Sequence, residues 1–477
     1  MKTQALLAAL AAVPGSLAHT VFTDFYVNGV AQGDGVAMRM PKSGDTASYP
    51  IENLASNDMA CNVDGETGVS RVQTVSDGAT VSFEFRSWPN DPTKERLDTG
   101  HKGPCAVYLK KVDSAVDDAG HGDGWFKIHD DGYNADEGKW CTDKLIANNG
   151  LYSVVLPKGL KGGYYLARPE ILALHNAAQG DPQFYAGCAQ IFLESSGDLV
   201  PESTVSIPGY VKAGGESVSF NIYNRDNAEY PVPGPAVAKL SSSSSAAGAD
   251  LSAQTTQSEG KKPSGVICEN GNWFGYEVPD YSNEAGCWAS GQKCWDQATT
   301  CWDTAPVTGG AGCELWQSKC QAINDACTAK DWTGPPNKGK VLTPKAETID
   351  VGLVLPTSGG GVENSTPKTS SAAAVKSSAA VYTTTSAAAA VKTSAAGGEQ
   401  KPVETSEGGY EAVVPTPAES PKTTYKQATT EAPEPTKLVC PDGYVCVTST
   451  TTVVETEVVY STVYGDMKRR SLMNRRR

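Results

Sequence analysis

Apolar and polar residues alternate in short runs over the first half of the chain. Val81, Phe83 and Phe85 interleave with Ser82, Glu84 and Arg86, and Val218, Phe220 and Ile222 interleave with Ser217, Ser219 and Asn221. A period of two puts each apolar set on one face of an extended strand. Residues 106–112, 152–156 and 189–193 are further strand candidates, separated by Gly, Pro, Asn and Asp clusters. Many short strands at this spacing predict an all-β domain over residues 19–235, an immunoglobulin/fibronectin-like antiparallel β-sandwich. Its longer loops, residues 40–62 and 115–140, are where a site would sit.

The pattern then changes. Residues 236–263, with five serines in a row at 241–245, carry too little apolar surface to offset their ordering entropy and read as a flexible linker. In residues 264–335, Cys287, Cys294 and Cys301 are spaced by seven, as are Cys313, Cys320 and Cys327. Seven residues is nearly two helical turns, so each triplet lines one helix face. Two antiparallel helices stapled as Cys287–Cys327, Cys294–Cys320 and Cys301–Cys313 satisfy the spacing, which does not by itself settle the connectivity. Cys268 is left over. Trp288, Trp295 and Trp302 each follow a cysteine and read as covering the disulfides and forming the core; the functional alternative is that some of Trp273, Tyr276, Tyr281 and Trp332 stack on sugar rings and make the unit a polysaccharide-binding module. Residues 336–438 are rich in Ser, Thr, Ala and Pro and read as a disordered, O-glycosylated stalk with one sequon at Asn364. Within residues 439–477, Cys440 and Cys446 are close enough to close a small loop before a basic end.

The start of the chain supplies the compartment. Lys2 precedes an apolar run, and small residues at Ser16 and Ala18 fit a signal-peptidase site, so residues 1–18 read as a signal peptide and the mature chain as starting at His19. A secreted, extracellular monomer with no membrane partner is expected. Thirteen cysteines then read as disulfides with at least one unpaired. The formal charge of -14 disfavours nucleic acid and anionic membrane, and suits a neutral or insoluble substrate.

Only five histidines occur, His19, His101, His121, His129 and His175, and one of them is the expected mature N-terminus. A terminal histidine offers its α-amine and its imidazole Nδ1 to one metal, closing a chelate that an internal histidine cannot make. An imidazole from elsewhere completes a T-shaped set of nitrogens, which is what divalent copper favours. The amine has a pKa of about 8, so losing its proton costs little. His121 and His129 lie in an Asp/Gly-rich stretch and read as solvated. That stretch never places Asp or Asn at alternating positions before Gly, so it is no EF-hand.

At these residues the chain resembles the fungal lytic polysaccharide monooxygenases of auxiliary activity family nine. The segments that carry the resemblance are His19–Phe22, Gly100–Pro104, Trp125–Ile128, Asp143–Ile146, Glu170–His175 and Gln183–Cys188, in that order along residues 19–223. The resemblance implies one copper ion held by His19 and His101, with Tyr185 as a distant axial oxygen. It implies that His175 and Gln183 position the oxygen species, and that Cys61 pairs with Cys188; a Cys105–Cys141 bridge is a weaker inference from the cysteines that remain. Tyr210 occupies the stretch where the family carries a substrate-facing aromatic, and is otherwise an ordinary loop tyrosine. The implied activity is oxidative cleavage of β-1,4-glucan, cellulose or a related glucan, at C1 or C4, with dioxygen or hydrogen peroxide and an external electron donor.

Rival readings stay open in the sequence. A glycoside hydrolase would need two carboxylates at a defined separation, and no pair is singled out. A non-catalytic polysaccharide-binding or cell-wall protein would fit the stalk and the Cys/Trp unit, and a copper carrier would share the metal site.

Overall fold

The computed structural model describes residues 19–242, 253–352 and 354–355. The expected signal peptide, the sequon at Asn364 and the Cys440/Cys446 pair lie outside the described residues. The first strands are β1 (Val21–Val27), β2 (Val30–Ala31), β3 (Met38–Arg39), β4 (Gln73–Ser76), β5 (Thr80–Arg86), β6 (Cys105–Val112) and β7 (Gly122–Asp131). Two short strands, β8 (Tyr133–Asn134) and β9 (Lys139–Trp140), precede β10 (Leu151–Val155), β11 (Gly163–Ala173), β12 (Gln183–Ala186) and β13 (Cys188–Glu194). Then come β14 (Leu199–Pro201), β15 (Val205–Ile207), β16 (Leu240–Ser242), β17 (Val266–Asn270), β18 (Trp273–Tyr276) and β19 (Val354–Leu355).

Two sheets face each other. The smaller runs β19-β10-β5-β1-β2; the larger runs β15-β7-β6-β11-β13-β3, with β12 on β11 and β4 on β13. Pairing is antiparallel except where β4 meets β13 and β19 meets β10. Phe22, Phe25, Val81, Phe83 and Phe85 from the smaller sheet meet Val107, Leu109, Phe126, Ile128 and Ile191 from the larger to form the inner core. The result is the expected β-sandwich.

The larger sheet is buried on its outer face as well. Tyr108, Trp125, Leu166, Leu172 and Phe192 pack there under Ile51, Met59, Val218, Phe220 and Tyr230, which lie outside the two sheets in loops and short helical turns. This is why all of β11 is buried and shows no alternation. Val218, Phe220 and Ile222 belong to this covering layer: they are buried, but they sit in coil and a short 3-10 turn, where a strand was expected. Alternating burial arose without a neighbouring ladder to pair with. The expected loop at residues 115–140 is largely β7, β8 and β9. Within it His129 is buried, its Nδ1 2.7 Å from the Tyr152 hydroxyl, contrary to the solvated reading; His121 is partly exposed beside Glu66.

Segments read as flexible are held in place wherever they are described. In the Ser-rich stretch, Gln257 accepts from Thr74 Oγ1 at 2.7 Å and donates to the Val72 carbonyl at 3.1 Å. Glu259 accepts from the Ala115 N–H at 2.8 Å and from Ser114 Oγ at 2.9 Å. Polar partners, which a count of apolar residues misses, offset the ordering entropy there. The start of the expected stalk is ordered too. The Ala31 and Ile349 amides bond to the Glu347 and Gly29 carbonyls, and β19 pairs with β10. Residues 347–352 and 354–355 therefore lie along the smaller sheet from its β2 side to its β10 edge as a strap.

The Cys-rich unit has two helices, α3 (Glu284–Asp303) and α4 (Ala311–Thr328), which follow the short helices at residues 58–61 and 141–147. Asn283 caps α3 by accepting the Gly286 N–H at 2.8 Å. Disulfides Cys287–Cys327, Cys294–Cys320 and Cys301–Cys313 staple the pair, and Cys268 is a buried free thiol. Trp316 is the core indole: it is fully buried and donates Nε1 to the Cys294 carbonyl at 2.9 Å. The stripe read as core is in part solvent-facing, with Trp288 45% and Trp302 41% exposed, while Trp273 and Tyr281 are buried. One residue past the seam is about 100° around the helix, too far to face α4.

The unit is fastened to the sandwich. Asn272 accepts from the Ala37 N–H at 2.9 Å and donates to the Gly35 carbonyl at 3.1 Å. Arg71 pairs with Glu269 at 2.7 Å and lies 5.0 Å over the Phe274 ring. Among the described residues no helix is long and apolar enough to cross a membrane.

Candidate metal centre

Three separate segments converge at one end of the sandwich. His19 immediately precedes β1, and Thr20 ties the segment down by donating Oγ1 to the Arg96 carbonyl at 2.7 Å. His101 lies in the connection between β5 and β6, which is stitched to the end of β11 by the Leu172 and Leu174 amides bonding to the Pro104 and Lys102 carbonyls. Gly103 makes the stitching possible, because a Cβ there would collide with the Leu172 carbonyl. His175 follows β11 directly, and β12 returns beside it with Ala173 opposite Gln183 and Ile171 opposite Tyr185. A period of two then puts Gln183 and Tyr185 on one face.

The imidazoles of His19 and His101 are 6.1 Å apart between centroids and nearly perpendicular, at 83°. The Tyr185 ring is 6.1 Å from each. The His175 ring is 4.3 Å from that of His101. Tyr185 donates its hydroxyl to Gln183 Oε1 at 2.8 Å, and Gln183 Nε2 donates to Asp181 Oδ2 at 3.0 Å. The Tyr185 hydrogen is thus committed to Gln183, which leaves oxygen lone pairs for any other neighbour. Burial raises its pKa well beyond reach, so the phenol stays protonated.

His101 is 4% exposed, and both of its ring nitrogens are buried without a hydrogen-bond partner. Its Nδ1 is 3.7 Å from Asp98 Oδ1, too long for a bond. Burial first, then the neighbouring His175, pull its pKa down to about 4. His19 and His175 are also lowered, chiefly by burial, so the cluster is neutral near pH 7 and its nitrogens carry lone pairs. An orphaned buried imidazole nitrogen costs free energy unless something takes it up, and a metal ion fits that requirement. Among the described residues no three His, Cys, Asp or Glu side chains form a metal cluster. Two imidazoles and a main-chain amine contain only two such side chains, so this donor set and that observation agree.

Of the residues expected at the site, His19, His101, His175, Gln183 and Tyr185 are together. Tyr210 is placed elsewhere. Its hydroxyl donates to Glu170 and lies 3.3 Å from Arg168 Nη2, and its ring meets Tyr108 at 5.7 Å. Its hydroxyl is tied and one edge of its ring is packed, and the residue is only partly buried. Tyr49, which the sequence did not single out, is 46% exposed with its ring 5.3 Å from that of His19. It lies in the loop at residues 40–62, but nothing in its neighbours marks it out from other loop tyrosines. Asp181, which ends the chain of bonds from Tyr185, was also missed. Disulfides Cys61–Cys188 and Cys105–Cys141 brace the sheet behind the site.

Residues 19–230 match the model of Auxiliary Activity family 9, formerly GH61. The chain is 49% identical over 343 residues to AA9 family lytic polysaccharide monooxygenase C of Aspergillus tamarii, which covers 70% of this chain and 92% of that one. It is 48% identical over 327 residues to AA9 family lytic polysaccharide monooxygenase H of Botryotinia fuckeliana, covering 67% of this chain and 75% of that one. The chain therefore belongs to Auxiliary Activity family 9, the copper-dependent monooxygenases that oxidise polysaccharides.

Proposed function

We propose that the mature protein is secreted, begins at His19, holds one copper ion with the His19 amine and imidazole and the His101 imidazole, and cleaves cellulose at C1, C4 or both. The observation that carries the reading is the buried His101 ring, with both nitrogens unpartnered, 6.1 Å from the ring of His19. Removing residues 1–18 would turn the amide nitrogen of His19 into a primary amine and complete the set. Copper, when bound, supplies one-electron chemistry with an external reductant and either dioxygen or hydrogen peroxide.

The rest belongs to the protein's own side chains. His175, beside His101 and lowered in pKa, is a neutral imidazole that can give or take one hydrogen bond at the oxygen species. Gln183 accepts from Tyr185 and donates one amide N–H to Asp181, which fixes the tyrosine hydroxyl and leaves the second N–H to help position the oxygen species. Tyr49 offers an exposed ring beside His19 for a sugar face.

Mass spectrometry of the secreted protein's first peptide, followed by product analysis on cellulose with and without ascorbate, tests the proposal. Oxidised oligosaccharides should appear only with reductant, and a chelator should abolish them. Release of unoxidised sugars without reductant would make the protein a hydrolase. A first residue other than His19 would remove the metal site.

A further inference from the structure

Helix α3 presents a second candidate surface, whose residues are distinct from those of the metal centre. Trp288, Gln292, Trp295, Thr299 and Trp302 follow one another at steps of four and three residues. On a helix these positions fall within an arc of about 80° and extend over about 21 Å. Trp288 and Trp302 are the exposed ends, at 45% and 41%, and Trp295 is partly buried between them. The residues between the indoles, Gln292 and Thr299, are uncharged and exposed.

This stripe is built and held. Trp302 lies directly over Gly310, where a Cβ would strike the indole. The helix beneath is fixed by three disulfides to α4. Asn272, the Arg71–Glu269 pair and Pro306, whose ring meets Gly35 and Gly271, fix the unit in turn to the sandwich. The hydrophobic core of the hairpin does not need the exposed indoles, because Trp316, Trp273 and Ile323 fill it.

We infer that the α3 stripe is a polysaccharide-binding platform that seats the protein on a cellulose surface. Indoles stack on the flat apolar faces of pyranose rings, and their N–H groups, with Gln292 and Thr299, can meet the hydroxyls at the ring edges. The five stripe residues are themselves uncharged, which suits a neutral polymer. Gln292 donates one amide N–H to Asp296 at the stripe's edge at 2.8 Å and Thr299 donates to the Trp295 carbonyl at 3.1 Å, leaving the other Gln292 N–H and the acceptor oxygens for the sugar. The chain's formal charge of -14 argues against an anionic partner. The chain already belongs to a family that oxidises polysaccharide. Because the unit is fastened to the sandwich, seating the stripe also holds the sandwich at a fixed offset from the polymer.

Adsorption of the full-length protein to microcrystalline cellulose, measured without reductant, tests this independently of catalysis. The partition coefficient of Trp288→Ala/Trp302→Ala should fall on the order of tenfold for each indole lost. Trp288→Phe/Trp302→Phe, which keeps a ring at each place, should recover most of it. Copper affinity should be unchanged in both, and both should still unfold cooperatively, the alanine variant at a somewhat lower temperature because each indole is about half buried. Equal adsorption of the alanine variant and the parent would overturn the inference, as would equal loss in the phenylalanine variant. Iodide quenching of tryptophan fluorescence gives a further check: indoles that become accessible only after the chain is cut beyond Ser371 would show that its own tail covers the stripe, and the platform would be refuted.

Discussion

Asp24 sits among Asp34, Glu84, Arg86 and Arg96, three carboxylates facing two guanidinium groups. Arg86 bonds Asp34 at 2.8 Å and Glu84 at 2.9 Å, and Arg96 reaches Glu84 at 3.1 Å. Asp24 has no arginine of its own, only the Phe25 N–H at 2.6 Å and the Gly33 N–H at 3.2 Å. Burial, followed by the charge of Asp34, pushes its pKa up to about 8. A proton kept on Asp24 leaves the cluster neutral. The folded-state pKa is above the unfolded one, so the contribution to stability is complete below the usual aspartate range and is lost as pH rises through about 8. Asp24→Asn should therefore unfold like the parent near pH 4 and be more stable by at least about 1 kcal/mol near pH 9. Unfolding midpoints across pH measure this, and a pH-independent difference would refute it. Tyr210 gives a second prediction at this scale. Tyr210→Phe removes a buried hydrogen bond to a charged group and should cost about 2 kcal/mol, while cellulose adsorption stays as in the parent. Loss of adsorption without loss of stability would return Tyr210 to the substrate surface. The sequence made His19, His101, His175, Gln183 and Tyr185 legible because family motifs surround them. It left Tyr49 and Asp181 silent, because a loop residue acquires its neighbours only when distant segments meet.

At the scale of elements, legibility followed the range of the interactions. The heptad cysteines announced α3 and α4 because a helix and its staples are written in local spacing. Alternation announced β5, where Val81, Phe83 and Phe85 enter the inner core. It misled at Val218, Phe220 and Ile222, because a strand needs a partner that alternation does not supply. It also hid that Ser82, Glu84 and Arg86, the other face of β5, are buried. The strap helps to close that face: Ser153 Oγ donates to Ser82 Oγ at 2.8 Å and reaches the Val351 carbonyl at 3.3 Å. The fastening of the helical unit is equally long-range. Arg71 and Glu269 are 2.7 Å apart, with side chains 10% and 16% exposed. A double-mutant cycle on Arg71→Ala and Glu269→Ala should show a coupling of about 1–2 kcal/mol in urea unfolding. Lys262 also holds Glu269, so Glu269→Ala alone should cost more than Arg71→Ala alone. A coupling near zero would mean that Asn272 and Pro306 fasten the unit without this pair.

For the whole molecule, charge and surface chemistry separate two ways of holding a substrate. The chain carries 54 acidic against 40 basic side chains, so a contact that relied on charge would have to use a basic patch against a strongly negative background. Such a contact weakens with salt, since sodium chloride raised from about 0.01 M to 1 M shortens the Debye length from about 30 Å to about 3 Å. Indoles on sugar rings have no such dependence. The adsorption constant on cellulose should therefore change by less than about twofold over that range, as read from isotherms of the copper-loaded protein without reductant. The alanine variant at Trp288 and Trp302 should adsorb weakly at both ends of it. A steep loss with salt in the parent would move the contact onto lysines and arginines, because neither an indole nor a pyranose carries a charge for the salt to screen.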